Sequence, residues 1–278
     1  MINNKMLGYK DIVINPIVSN MVSTELVDIS FRLPDETKSL SLPLLTRVGG
    51  SNSIDICSAL SDLGILGIID KIDNIHEKYS ANSELLSGLG LWGTSVNIED
   101  NPKETIKVLE LNPTIVDIRS GSGYSLETLK FTEEIKEYCV HQGLNSLVSS
   151  GNVITLDGTN ALLSAGADLV RVGNPGGAYF YEELVHIPQV TAIQDCWNAD
   201  VMIIADEDQL SLGDFIKALA IGADLCMVQR IVPDDYDNYR VHLRMLVDAY
   251  ISDVCMFCMS MNANTIDAMR NNSEIIVK

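Results

Sequence analysis

Eight short apolar runs along the chain end in side chains that could do chemistry. These are Arg47, Asp70 with Lys71, Asn97, Asp117, Asn152, Asn174, Asp206 and Arg230. The set offers carboxylates, amides and cations, but neither a histidine nor a cysteine. The four histidines, His76, His141, His186 and His242, fall in helical or loop stretches away from those ends. Proton transfer would therefore rest on Asp117, Asp206 or Glu182. Each would need burial or a neighbouring like charge to lift its pKa towards neutrality. The same carboxylates could equally serve as helix caps or ion-pair partners.

The elements that must position these residues follow from the pattern. Candidate strands cover 42–46, 64–69, 89–96, 114–118, 146–149, 168–172, 201–205 and 224–228. Helical patterns cover 54–63, 102–109, 125–142, 155–164, 190–199 and 211–221. Pro102 takes the favoured first helical position, and Gly222 is a natural C-cap. Eight strand-then-helix units joined by short connections predict one (β/α)8 TIM barrel, an α/β fold of a single domain over 1–278. A doubly wound open sheet is the competing arrangement, but no Gly-rich dinucleotide fingerprint follows the first strand. Residues 1–41 read as an N-terminal extension that could close the barrel bottom, 42–230 as the barrel, and 231–278 as closing helices over 237–253 and 263–271. Active sites of such barrels form at the C-terminal ends of the strands, which is where the residues above fall.

Composition narrows the function. With 19 Lys and Arg against 38 Asp and Glu, the net charge is −19. A field of that sign repels phosphate backbones and argues against nucleic-acid binding. No apolar run reaches the roughly 18 residues of a membrane helix, and the N-terminus lacks a signal-peptide core. A cytoplasmic protein is the expectation. Cys57, Cys139, Cys196, Cys226, Cys255 and Cys258 are scattered among apolar residues and read as reduced core thiols. Cys255 and Cys258 have metal-ligand spacing, yet no second pair lies nearby, so no metal site is expected.

The run from Gly151 to Arg230 carries a resemblance. It contains Gly151-Asn-Val-Ile-Thr155, Ala165-Gly-Ala-Asp-Leu-Val-Arg-Val-Gly173, Ile187-Pro-Gln-Val-Thr-Ala-Ile-Gln-Asp-Cys196, Ala205-Asp206 and Gly213-Asp-Phe-Ile-Lys-Ala-Leu-Ala-Ile-Gly-Ala-Asp224. In order and spacing this resembles the IMP dehydrogenase and GMP reductase family. Asp11-Ile-Val-Ile-Asn-Pro16, Leu42-Pro43, Gly67-Ile-Ile-Asp-Lys71, Val116-Asp117 with Gly123-Tyr-Ser125, and Ala263-Asn-Thr-Ile extend the likeness over most of the chain. The resemblance implies a TIM barrel, a purine-nucleotide ligand, NADPH or NAD as cofactor, and a homo-oligomer. It implies that Asp117 faces the nicotinamide and Asp206 the ribose.

The departures fall on the residues that would bind and attack the nucleotide. The family's loop has the form Gly-x-Gly-Pro-Gly-Ser-x-Cys-x-Thr; here it reads Gly173-Asn-Pro-Gly-Gly-Ala-Tyr-Phe-Tyr-Glu182. Phe180 stands at the cysteine position and cannot supply a thiolate. Glu182 stands at the threonine and Ala178 at the phosphate-binding serine. Asp206 matches the family's aspartate, but Glu207-Asp208 and Gln229-Arg230 stand where the family has Gly-Gly and Gly-Ser, whose glycines let backbone approach a phosphate. The same carboxylates argue against FMN. The expectation is a catalytically inactive member acting through ligand or protein binding or assembly, with Asp206, Asp117, Asn152, Asn174 and Arg230 as candidate ligand contacts. An NAD(P)H-dependent purine-nucleotide oxidoreductase with Glu182 and Asp117 in an altered mechanism is the alternative. A structural component of a larger, for example viral, assembly is a third reading.

Overall fold

The computed structural model describes residues 6–34, 38–50, 52–70, 79, 82–174, 186–206, 211–229 and 238–278. Eight parallel strands close into a barrel. They are β4 (Leu44–Val48), β5 (Leu66–Ile69), β6 (Gly93–Asn97), β7 (Ile115–Arg119), β8 (Leu147–Val153), β9 (Leu169–Val172), β10 (Met202–Asp206) and β11 (Leu225–Gln229). β11 pairs with β4 to complete the circle, with Gln229 opposite Arg47. Each strand alternates between two apolar environments. On β7, Val116 and Ile118 point outward and pack with Ile135 and Cys139 of the helix α4 (Leu126–Gln142). Ile115 points inward, where it joins Leu45, Leu66, Ile68, Leu147, Leu169, Ile204, Leu225 and Met227. The barrel is thus the expected (β/α)8 architecture.

Among the described residues its helices are α1 (Ser53–Asp62), α2 (Ser83–Gly88), α3 (Pro102–Leu109), α4, α5 (Leu156–Ser164), α6 (Gln189–Cys196), α7 (Leu212–Ile221), α8 (Tyr239–Ser260) and α9 (Ile266–Asn272). Side-chain caps set several of the starts. Asn101, Ser125, Thr155, Ser211 and Thr265 each accept a backbone N–H of the first turn. Gly143 ends α4 in the left-handed conformation, at φ +67°.

Part of the segment before β4 packs against the barrel interior. Strands β2 (Phe31–Arg32) and β3 (Ser39–Leu40) pair antiparallel and lift Leu33 and Leu40 into the apolar interior of the barrel. Some boundaries differ from the sequence expectation. The expected strand 89–96 begins only at Gly93, because α2 and a turn precede it. The strand expected over 146–149 continues to Val153. The chain ends not in a helix but in β12 (Glu274–Val277), which pairs antiparallel with β1 (Ile12–Asn15). Its largely exposed side chains give little alternation to read. The six cysteines are buried and unbonded. Among the described residues no group of metal-binding side chains gathers, and no helix is long and apolar enough to cross a membrane.

Candidate functional site at the barrel mouth

Above the apolar layers the interior changes character. Arg47, Ser95, Asp117, Ser149, Arg171 and Asp206 project inward from six strands and are almost wholly buried. Two guanidinium groups face two carboxylates. Arg47 binds Asp206 as a fork, Nη1 to Oδ1 at 3.2 Å and Nη2 to Oδ2 at 2.8 Å. Asn152 adds a third hydrogen bond, donating from Nδ2 to Asp206 Oδ2 at 3.2 Å. Arg171 donates from Nη1 to Asp117 Oδ2 at 3.0 Å, and from Nη2 to the carbonyls of Ile118 and Gly151 at 2.6 and 2.9 Å. Ser149 Oγ donates to Asp117 Oδ1 at 3.1 Å. Arg47 Nη2 also lies 3.7 Å from Asp117 and links the two pairs. Among the described residues the cluster is charge-balanced, as burial of ions demands.

Glycines make this closeness possible. A Cβ on Gly173, just past β9, would run into the carbonyl oxygen of Asp206. Gly151 has φ +151°, and a Cβ there would lie 2.6 Å from the carbonyl oxygen of Arg171. These two positions draw β8, β9 and β10 together so that Asn152, Arg171 and Asp206 meet.

The electrostatics follow from the geometry. Burial alone would raise the Asp206 carboxyl. The charges of Arg47 and Arg171, with hydrogen bonds from Arg47 and Asn152, outweigh it and hold the group below its usual range. Burial lowers Arg47, yet Asp206 and Asp117 more than compensate and keep it above its ordinary value. Burial dominates at Arg171 and lowers it despite Asp117. The expectation that Asp206 could serve as a base is corrected here: a base needs its pKa raised, and the fork of Arg47 does the opposite. Asp117 is also not at the rim. β7 runs two residues further to Arg119, leaving Asp117 fully buried with both oxygens engaged.

The remaining candidates have separate roles. Arg119 and Asp70 form a long rim pair at 3.4 Å, both partly exposed. Asn97 lies beside Arg119 at the ends of β6 and β7. Asn174 accepts from the Ile187 amide and donates to the Ile187 carbonyl, clamping two points of chain that flank residues 175–185. Phe180, Glu182, Ala178, Lys71, Glu207, Asp208 and Arg230 lie outside the described residues. Sequence reasoning missed Arg171, Ser149 and Ser95. The signal for Arg171 was available: it shares the inward register of β9 with Leu169, so a cation there must point into the barrel.

A closed barrel of eight parallel strands, with buried polar residues gathered towards the C-terminal strand ends, defines a (β/α)8 barrel. The family model described as IMP dehydrogenase / GMP reductase domain matches residues 6–234, and the chain belongs to that family. Among its relatives, a GMP reductase of Shigella boydii is 27% identical over 240 residues, covering 80% of this chain and 67% of that protein. An inosine-5'-monophosphate dehydrogenase of Aquifex aeolicus is 33% identical over 177 residues, covering 60% of this chain and 35% of that protein. One of Bacillus subtilis is 32% identical over 173 residues. Against the dehydrogenases, the chain spans about a third of their length.

Proposed function

We propose that this barrel has left the covalent nucleotide chemistry of its family and acts through binding, as a homo-oligomer or with a protein partner. The observation that carries this reading is the Arg47–Asp206 fork. The carboxylate that the resemblance assigns to the ribose has both oxygens occupied from within, by Arg47 and Asn152. The sequence supports it independently, because Phe180 stands at the family's cysteine position. Hydride transfer to a purine is hard without covalent activation. The test is a thermal-shift titration with IMP, GMP, XMP, NADPH, NAD and FMN, followed by an NADPH-oxidation assay with each purine nucleotide. A ligand that binds only the native state must raise the melting temperature. The reading expects no turnover; saturable NADPH oxidation lost in Asp206→Ala overturns it.

A second reading has one observation in its favour: the GMP reductase relatives align over 80% of the chain. In that reading the protein is an NAD(P)H-dependent purine-nucleotide oxidoreductase, Arg47 releases Asp206 when nucleotide enters, and Glu182 exchanges the proton.

A further inference from the structure

The barrel's opposite end carries a cleft that the mouth does not explain. It has a volume of about 500 Å³ and opens at the N-terminal ends of β9 and β10. Leu163, Met202, Trp197, Asp168, Asp200 and Asp224 are among the residues that line it. Trp197 follows α6 and is 54% exposed, whereas the other tryptophan, Trp92, is 1% exposed. The indole is not loose. It lies against the backbone of Gly222, where a Cβ would come within 2.9 Å of the ring. Large exposed aromatics on rigid supports mark interaction sites, because little order remains to be imposed on binding.

The charges around the indole leave one carboxylate over. Asp168 receives both of its short contacts from Lys136 Nζ, at 2.7 and 2.8 Å, and also accepts the Val148 amide. Asp224 accepts the Ile203 amide and lies 3.6 Å from Arg270. These two are structural, each tying the start of one strand to its neighbour. Asp200 is exposed and, among the described residues, has no such cation. The cleft therefore presents an aromatic platform and one uncompensated negative charge. We propose that it docks an arginine side chain of a protein partner, the guanidinium stacking on Trp197 and pairing with Asp200. Arginine suits the pair better than lysine, because its planar fork both stacks on an indole and meets a carboxylate through two donors. The chain's net charge of −19 draws such a partner from a distance.

The test uses the intact protein and N-acetyl-argininamide as probe, followed through tryptophan emission at constant ionic strength. Trp92 is buried, so Trp197 supplies the response. The expected result is a saturable change with the arginine probe, a weaker one with N-acetyl-lysinamide, and none with the neutral isostere N-acetyl-citrullinamide. Asp200→Asn should weaken binding about fivefold. Trp197→Leu should abolish the binding seen by calorimetry while the melting temperature of the free protein stays within a few degrees. Equal responses to arginine and citrulline overturn the proposal, as does binding indifferent to Asp200→Asn and Trp197→Leu, which marks mere attraction to an acidic surface. A concentration-dependent shift of Trp197 emission that tracks self-association also overturns it, since a second copy then covers the cleft. None of these outcomes depends on whether the mouth turns over a nucleotide.

Discussion

Replacing Arg171 with methionine should be among the most damaging single changes in the barrel. The substitution keeps most of the side-chain volume but removes the nearest cation from Asp117 and the donor from two carbonyls. Breaking a buried ion pair by deleting one partner costs about 3–5 kcal/mol. Arg47 Nη2 remains 3.7 Å from Asp117 and offsets part of that, so we expect ~3–4 kcal/mol. Native domains hold only about 5–15 kcal/mol in all. At roughly 2–4 °C per kcal/mol for a chain of this size, the melting temperature should fall by about 6–16 °C. Urea unfolding and calorimetry of wild type, Arg171→Met, Asp117→Asn and the double variant form a thermodynamic cycle. In the double variant no unpaired charge remains, so it should be less destabilised than the sum of the singles by more than ~1 kcal/mol. Losses that add within about 0.5 kcal/mol, or an Arg171→Met variant within ~1 kcal/mol of wild type, would show that the two residues are not coupled and refute the argument.

Other expectations follow from the same contacts. Asp206 is held below its usual range, so its contribution to stability is present above the ordinary carboxylate pKa and is lost as pH falls through the depressed value. The loss of urea stability between pH 5 and pH 2 should therefore be shallower in Asp206→Asn than in wild type. Gly173→Ala should cost about 1–3 kcal/mol or more by collision with the Asp206 carbonyl. Gly121→Ala, with open space around the new methyl, should unfold at the wild-type urea midpoint. Burial pushes Cys196 up to about 11 and Cys258 up to about 12, and all six thiols are buried. A thiol reagent at pH 8 should label none of them in the native protein and all of them in denaturant.

The barrel was legible because its signal is redundant. Eight apolar runs spaced by helical patterns leave few alternatives, and mistakes at single boundaries, such as the late start of β6 at Gly93, do not alter the topology. The mouth was legible only in part. The strand ends gave Arg47, Asn152 and Asp206, which do meet. The partnership itself was not readable, because Arg47 and Asp206 are 159 residues apart and only closure of the barrel between β11 and β4 brings them together. Asp117 was assigned to a strand end, whereas β7 continues to Arg119. That two-residue difference in length separates a rim carboxylate from a buried one. Ser95 shows a further limit. Its hydroxyl is buried with no hydrogen-bond partner among the described residues, a property no sequence pattern encodes.

The mouth also constrains what chemistry could remain. A carboxylate that is to take a proton near neutral pH must be disfavoured as an anion, by burial or by a like charge. Asp206 has the burial, but Arg47, Arg171 and Asn152 reverse its effect, and separating Arg47 from Asp206 inside the barrel gives up the closest ion pair of both groups, leaving Arg47 only its longer contact with Asp117. A neutral ribose diol offers hydrogen bonds to the carboxylate but no charge to replace the guanidinium, so displacing Arg47 leaves it only Asp117, already shared with Arg171, unless a further anion receives it. Glu207 and Asp208 follow Asp206 directly in sequence and are the nearest such anions along the chain. If the barrel does admit a nucleotide, its affinity should therefore fall in Glu207→Gln/Asp208→Asn and rise in Arg47→Met. Opposite signs for these two variants in calorimetry would indicate that Arg47 guards the site. Unchanged affinity in Arg47→Met would mean the nucleotide binds elsewhere.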